Sequence, residues 1–207
     1  MREVTFALLR EGTSDDGLVA HIRSLILSAG ADAALGAARQ YSGSVASKLS
    51  RVLAEDPAVD LIFVHRDSDT RDPTPRHTEV TRAAEFAACA DRVIPVIPVQ
   101  ELEAWLLVDE AQIRAVVGKP NGRLALGLPQ GRHIENVANP KELLRSACMI
   151  ASETSGSRRR RQAASFDKQR AILLERMDSL GPVSTLPSWQ RFVADTTRGT
   201  VGALARK

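Results

Sequence analysis

Two short apolar runs, each followed within a few residues by acid, constrain this chain more than any other feature. Residues 4–9 read Val-Thr-Phe-Ala-Leu-Leu and lead into Glu11-Gly12-Thr13-Ser14-Asp15-Asp16. Residues 61–64 read Leu-Ile-Phe-Val and lead into Asp67-Ser68-Asp69. Apolar runs of this length, bounded by polar residues or glycine, predict buried strands of a parallel sheet. Ligands of such sheets bind in the crevice beyond the carboxyl ends of the strands, which is where these carboxylates would project.

The segments around the two runs complete the pattern. The first strand is expected over residues 3–9. Leu18, Ile22, Leu25 and Ile26 give residues 15–29 one apolar helical face, with Thr13, Ser14 or Asp15 as N-cap and Gly30 as the stop. A weaker strand falls near 33–38, a helix over 43–55 closed by Asp56-Pro57, and the strongest strand over 60–65. A helix over 76–90 and a strand over 93–99 follow. Pro95 and Pro98 confine that last strand to an edge or an end. Beyond residue 100 the pattern turns helical, over 101–107 and 109–117. A Gly-, Pro- and Asn-rich loop is expected over 118–138, then a helix opened by Asn139-Pro140-Lys141-Glu142. Two more helices are expected near 163–179 and 187–197. The fold class is therefore α/β, a mainly parallel sheet flanked by helices. Its core would cover residues 1–108, with a helical C-terminal extension over 109–207 packed on it.

Composition sets limits on function. A chain of 207 residues, 43% of them apolar, can bury a proper core, and with only 4% aromatics Leu, Val, Ile and Ala must fill it. A formal charge of +3 is too small to argue for nucleic acid by itself. The local stretch Arg158-Arg159-Arg160-Arg161, with Lys168 and Arg170 soon after, is more telling. Beside an acidic metal site it suits a polyanionic substrate; the plainer alternative is a solvated, partly disordered loop. Cys89 and Cys148 lack metal-ligand spacing and are expected as small core residues. No charged-then-apolar leader and no membrane-length apolar stretch is present, so the expected location is cytoplasmic, with no membrane partner.

The chemistry rests on Glu11, Asp67 and Asp69. Neighbouring or next-neighbouring strand ends lie about 5 Å or 10 Å apart, so the three carboxylates can share a counterion. A hard divalent cation is the simplest one: magnesium, with manganese as a substitute. Such an ion keeps positions open for phosphate oxygens and water, and can activate a water or stabilise a departing oxygen. Each residue also has a plainer use, because Asp is common in turns and Asp15 and Asp16 suit a helix start. Trp105 is expected in the core. His65 could orient a carboxylate or a water, His77 and His133 are expected exposed, and His21 is expected on a polar helix face.

Strand-Glu-Gly-x-x-Asp followed by strand-x-Asp-x-Asp resembles the Toprim domain of topoisomerases, primases, a ribosomal-RNA maturase and OLD-family nucleases. That resemblance covers roughly residues 1–100. Further segments resemble a family of small Toprim-like proteins encoded beside AAA or ABC-type ATPases in bacterial anti-phage settings. They are Pro98-Val99-Gln100-Glu101-Leu102-Glu103-Ala104-Trp105-Leu106-Leu107, Asn139-Pro140-Lys141, Phe166-Asp167-Lys168 and Pro187-Ser188-Trp189-Gln190-Arg191-Phe192. The resemblance implies that Glu11, Asp67 and Asp69 are metal-site residues, with Glu11 also a candidate general acid or base. It makes Glu101 a further ligand and Lys168 a candidate to steady charge on the phosphate. Arg158 to Arg161 would grip nucleic acid, DNA ahead of RNA. Asp72, in an atypical turn, is an extra candidate ligand. The implied activity is magnesium-dependent phosphodiester cleavage beside a partner ATPase. The chain has no Walker A motif and is not expected to be that ATPase.

Two other functions compete. One is a non-catalytic nucleic-acid-binding or sensor subunit that keeps the Toprim shape. The other is a phosphatase of the haloacid dehalogenase kind, which also uses Asp-x-Asp after a strand. It needs a later acidic pair that this chain lacks, and it leaves Glu11 without a role.

Overall fold

The computed structural model describes residues 2–207. Its fold is α/β, with one all-parallel sheet of four strands in the order β2-β1-β3-β4. The strands are β1 (Glu3–Leu9), β2 (Ala33–Arg39), β3 (Leu61–His65) and β4 (Val93–Val96). The crossovers are α1 (Leu18–Ser28), α2 (Val45–Glu55) and α3 (Thr74–Phe86). Later helices are α4 (Glu103–Leu106), α5 (Glu110–Val116), α6 (Pro140–Ala151), α7 (Gly156–Ala164), α8 (Phe166–Glu175) and α9 (Pro187–Ala205).

The chain divides into two compact units, and not at residue 108. The first comprises residues 1–66, 72–97 and 190–207; the second comprises residues 67–71 and 98–189. Most of α9 therefore belongs with the sheet.

In the first unit the sheet is covered on both faces, as alternation along its strands requires. Ala7, Leu9, Ile62 and Val64 pack with Val45, Leu49 and Val52 of α2 and with Val80 and Ala84 of α3. On the opposite face Phe6 meets Phe63 edge-on at 5.8 Å, and Phe63 meets Phe192 of α9 edge-on at 6.2 Å. Aromatic pairs of this geometry add about 0.5–1.5 kcal/mol each beyond their burial. The far end of α9 is tied down as well: the Lys207 ammonium lies 2.8 Å from the Asp60 carboxylate and donates to the Glu3 carbonyl. β4 is an edge strand of four residues. Its hydrogen bonds to β3 use the Arg92 and Val96 carbonyls, which leaves Pro95, with no N–H to offer, facing outward.

In the second unit Trp105 and Trp189 meet edge-on at 4.9 Å, both essentially buried, and the Trp105 indole N–H donates to Ser188 Oγ. α4 and α5 pack against α6 and α8. Residues 118–138 are loop apart from a 3-10 turn at Gly131–Asn136. Buried Arg114 pins this loop by pairing with Glu110 at 2.6 Å while donating to the Leu124 carbonyl.

Several local expectations need correction. A 3-10 turn at Thr13–Asp15 precedes α1, which starts at Leu18 without a side-chain cap. The arginine run is helical: α7 carries it, and no residue of α7 is buried. Cys89 and Cys148 are core residues, as expected, but His21 and His77 are buried rather than exposed.

His77 generates a pH prediction. Burial, with Arg191 beside it, lowers its pKa from 6.5 to about 4, against an opposing pull from Asp195. Between those two values the unfolded chain takes up a proton that the folded one refuses. Stability present above pH 6.5 is therefore lost as pH falls toward 4. The proton uptake on unfolding in this window, from urea titrations at several pH values, should fall by up to one in His77→Gln.

Gly36 generates a second prediction. It pairs with Phe6 across β1 and β2, and a Cβ there would sit 2.3 Å from the Phe6 carbonyl oxygen. Gly36→Ala should cost about 1–3 kcal/mol, the usual range for overpacking, in chemical denaturation. An unchanged midpoint would mean that β2 does not sit this close to Phe6.

Candidate active site at the carboxyl end of the sheet

β1 and β3 are adjacent, with Leu9 opposite Val64. The chain leaves β1 through α1 toward β2 on one side and leaves β3 through α3 toward β4 on the other. Two neighbouring strands whose connections diverge form the topological switch point, where open α/β sheets bind ligands. Both acidic segments begin at this point in the chain, Glu11 two residues past Leu9 and Asp67 three past Val64.

Within the first unit the switch point is filled by alternating charge. Glu11 lies 2.6 Å from the Arg66 guanidinium, which lies 2.9 Å from Glu79 of α3, and Glu79 lies 2.8 Å from Arg76. Arg10 pairs with Asp16 at 2.7 Å. The Asp15 carboxylate folds back to accept the Gly12 N–H and lies 3.3 Å from His65 Nδ1. Both are almost fully buried. Asp15 thus closes its own turn instead of capping α1, and His65 meets a carboxylate. Asp72 is hydrogen-bonded by the Thr74 hydroxyl and by the Thr74 N–H at the start of α3, and the two together hold its carboxyl below the usual range.

Within the second unit the Asp-x-Asp segment is knitted to the turn that carries Glu101. The Ser68 N–H donates to the Pro98 carbonyl, and the Asp69 N–H to the Gln100 carbonyl. The Gln100 N–H donates both to the Thr70 carbonyl and to Ser68 Oγ. Asp67 Oδ1 accepts the Leu102 N–H at 2.9 Å. Asp69 and Gln100 both have positive φ, 56° and 63°. Such positions cost free energy and cluster where function holds the backbone. Burial raises the Glu101 pKa, and the Glu103 and Asp67 carboxylates raise it further. The Lys141 N–H, donating to Glu101, opposes them. Glu103 is buried and paired with Arg170 at 2.6 Å.

The expected residues thus fall in two groups. Asp67 and Glu101 are electrostatic neighbours in the second unit, and exposed Asp69 is on the same knitted loop. Glu11 is in the first unit, held by Arg66. Lys168 stands exposed on α8, two residues from the inward Arg170. Arg158 to Arg161 are exposed on α7. Consecutive residues on a helix point about 100° apart, so four in a row surround it instead of lining one face. Among the described residues no group of three or more His, Cys, Asp or Glu side chains is arranged to hold a metal ion. As placed, Glu11 is paired with an arginine, and Asp67 keeps its charge while one of its oxygens accepts a backbone N–H.

Sequence reasoning missed Arg66, Glu79 and Arg76. Arg76 and Glu79, three apart on a helix, were a detectable pair. Arg66 carried no signal beyond its place beside Asp67.

The fold and the ion pairs at its switch point define the general class, a parallel α/β protein with paired charges beyond the carboxyl ends of its central strands. The family is specific: a model described as a domain of unknown function, DUF4276, matches residues 2–179, and the chain belongs to that family. No curated protein and no solved structure matches it. Among the described residues no helix is long and apolar enough to cross a membrane.

The Glu11–Arg66 pair can be tested alone. In a double-mutant cycle with Glu11→Gln and Arg66→Met, the coupling in urea unfolding should be about 0.5–3 kcal/mol, the range for contacting residues. Additive effects would show that the pair contributes nothing.

Proposed function

We propose that this chain is a Toprim-like hydrolase of nucleic-acid phosphodiesters, dependent on magnesium or manganese, that works with a partner ATPase in anti-phage defence. The observation that carries the reading is that the acidic segments start at the divergent carboxyl ends of β1 and β3. The knitted loop supports it by keeping Asp67 and Glu101 close enough to raise the Glu101 pKa. Glu11, Asp67, Asp69 and Glu101 are the proposed acids of the site. Lys168 and the arginines of α7 are proposed to face substrate, DNA ahead of RNA. A cation taken up by Glu11 must compete with Arg66 for the same carboxylate.

A second reading, a non-catalytic nucleic-acid-binding or sensor subunit, is favoured by that competition and by the lack of a three-ligand group among the described residues. In it Arg66 is the permanent counterion of Glu11.

The two readings separate on activity. Asp67→Ala and Asp69→Ala should each lower metal-dependent cleavage about 100-fold or more, the scale for lost charge stabilisation, without lowering the melting temperature. Excess chelator should abolish it. The assay is run with the proposed partner ATPase present. Cleavage that survives either substitution or the chelator rejects the first reading. No cleavage with the partner present favours the second.

A further inference from the structure

Beside the knitted loop, and wholly within the second unit, is a pocket of about 390 Å³ that no part of the reading above uses. Arg71, at the end of the Asp67–Arg71 segment, forms one wall with Val99. Arg132, His133 and Asn136 of the 3-10 turn form another, and Pro187 adds apolar surface. Glu135 is the one acid in the lining, and its Oε1 already accepts both the N–H and the hydroxyl of Ser188. Ser188 is held in turn by the Trp105 indole N–H, which anchors this acceptor in the buried tryptophan pair. Among the described residues neither Arg71 nor Arg132 takes part in an ion pair. The pocket thus presents two uncommitted guanidiniums, an imidazole and an amide next to an apolar wall.

The geometry points to a nucleotide-binding subsite: Arg71 and Arg132 hold one backbone phosphate of a single strand, and Val99 and Pro187 take its sugar or base. Guanidinium pairs suit phosphate because their donors match its oxygens. A volume of 390 Å³ lies in the range that holds a small ligand, more than a bare phosphate needs. Arg71 is two residues beyond Asp69, a chain reach of at most about 7 Å. The phosphate held here is therefore close along the strand to the one presented to the acids. This placement rests on the hydrolase reading; the binding itself does not.

The test is binding of a fluorescent single-stranded oligonucleotide in excess chelator over a salt series. Wild type is compared with Arg71→Ala/Arg132→Ala, and with all four α7 arginines changed to alanine. Both arginines are exposed, so the double variant should keep its melting temperature. It should bind at least about 10-fold more weakly, and its log–log salt slope should fall by about 0.7, the loss of one single-strand phosphate contact. The α7 variant should leave competition by a free mononucleotide unchanged, whereas the double variant should abolish it. Equal affinity and slope for wild type and double variant, or no oligonucleotide binding by wild type, would overturn the subsite. A lost contact in a protein that never cleaves would sink the hydrolase reading and leave the subsite standing. Cleavage by the double variant with unchanged KM would do the reverse.

Discussion

The parallel pairing of β1 with β3 is the constraint from which the rest follows. Because the two strands are neighbours at the centre of the sheet, each must bury both faces, and their sequences are apolar at nearly every position. Because the chain must skip across β1 to reach β3, the connections on either side diverge. That divergence opens the only kind of crevice a sheet like this supplies, and the polar residues that end the two strands line its start. The position of the charged cluster is thus a product of topology, before any chemistry is asked of it.

The acids of each unit have their own compensation. Here the first unit supplies arginines, with Arg66 between Glu11 and Glu79. The second unit supplies backbone N–H groups, from Leu102 to Asp67 and from Lys141 to Glu101. Glu101 remains raised in pKa, so this compensation is incomplete there. Incomplete compensation around a carboxylate is what a site awaiting a cationic or proton-bearing partner has in common with a strained structural one.

How much of this could be read from the sequence depends on the range of the interaction involved. β1 and β3 were plain because burial on both faces writes itself into consecutive residues. β2 was faint because it is an edge strand built of alanine and glycine, with Gly36 imposed by the neighbouring Phe6. α7 was missed because a helix made of arginine and alanine has good propensity but no apolar stripe. α9 was cut short because Thr196 and Thr200 look polar, yet both are fully buried, and Gly199 lets Ile94 approach. The acids were singled out by their place after the strands. Their partners were not, since Arg66 reaches α3 and Glu101 reaches the start of α6, contacts that no local pattern encodes.

The return of α9 to the sheet has a consequence for how the protein is made. Phe63 leaves the ribosome well before Phe192, which covers it and follows 129 residues later in the chain. Between β4 and that helix lie roughly 90 residues, about 5–20 s of synthesis at some 5–20 residues per second. For that interval the nascent sheet has one face closed by α2 and α3 and the other missing its α9 cover. The phenylalanines there are, for those seconds, a surface that the cell's holding chaperones can recognise.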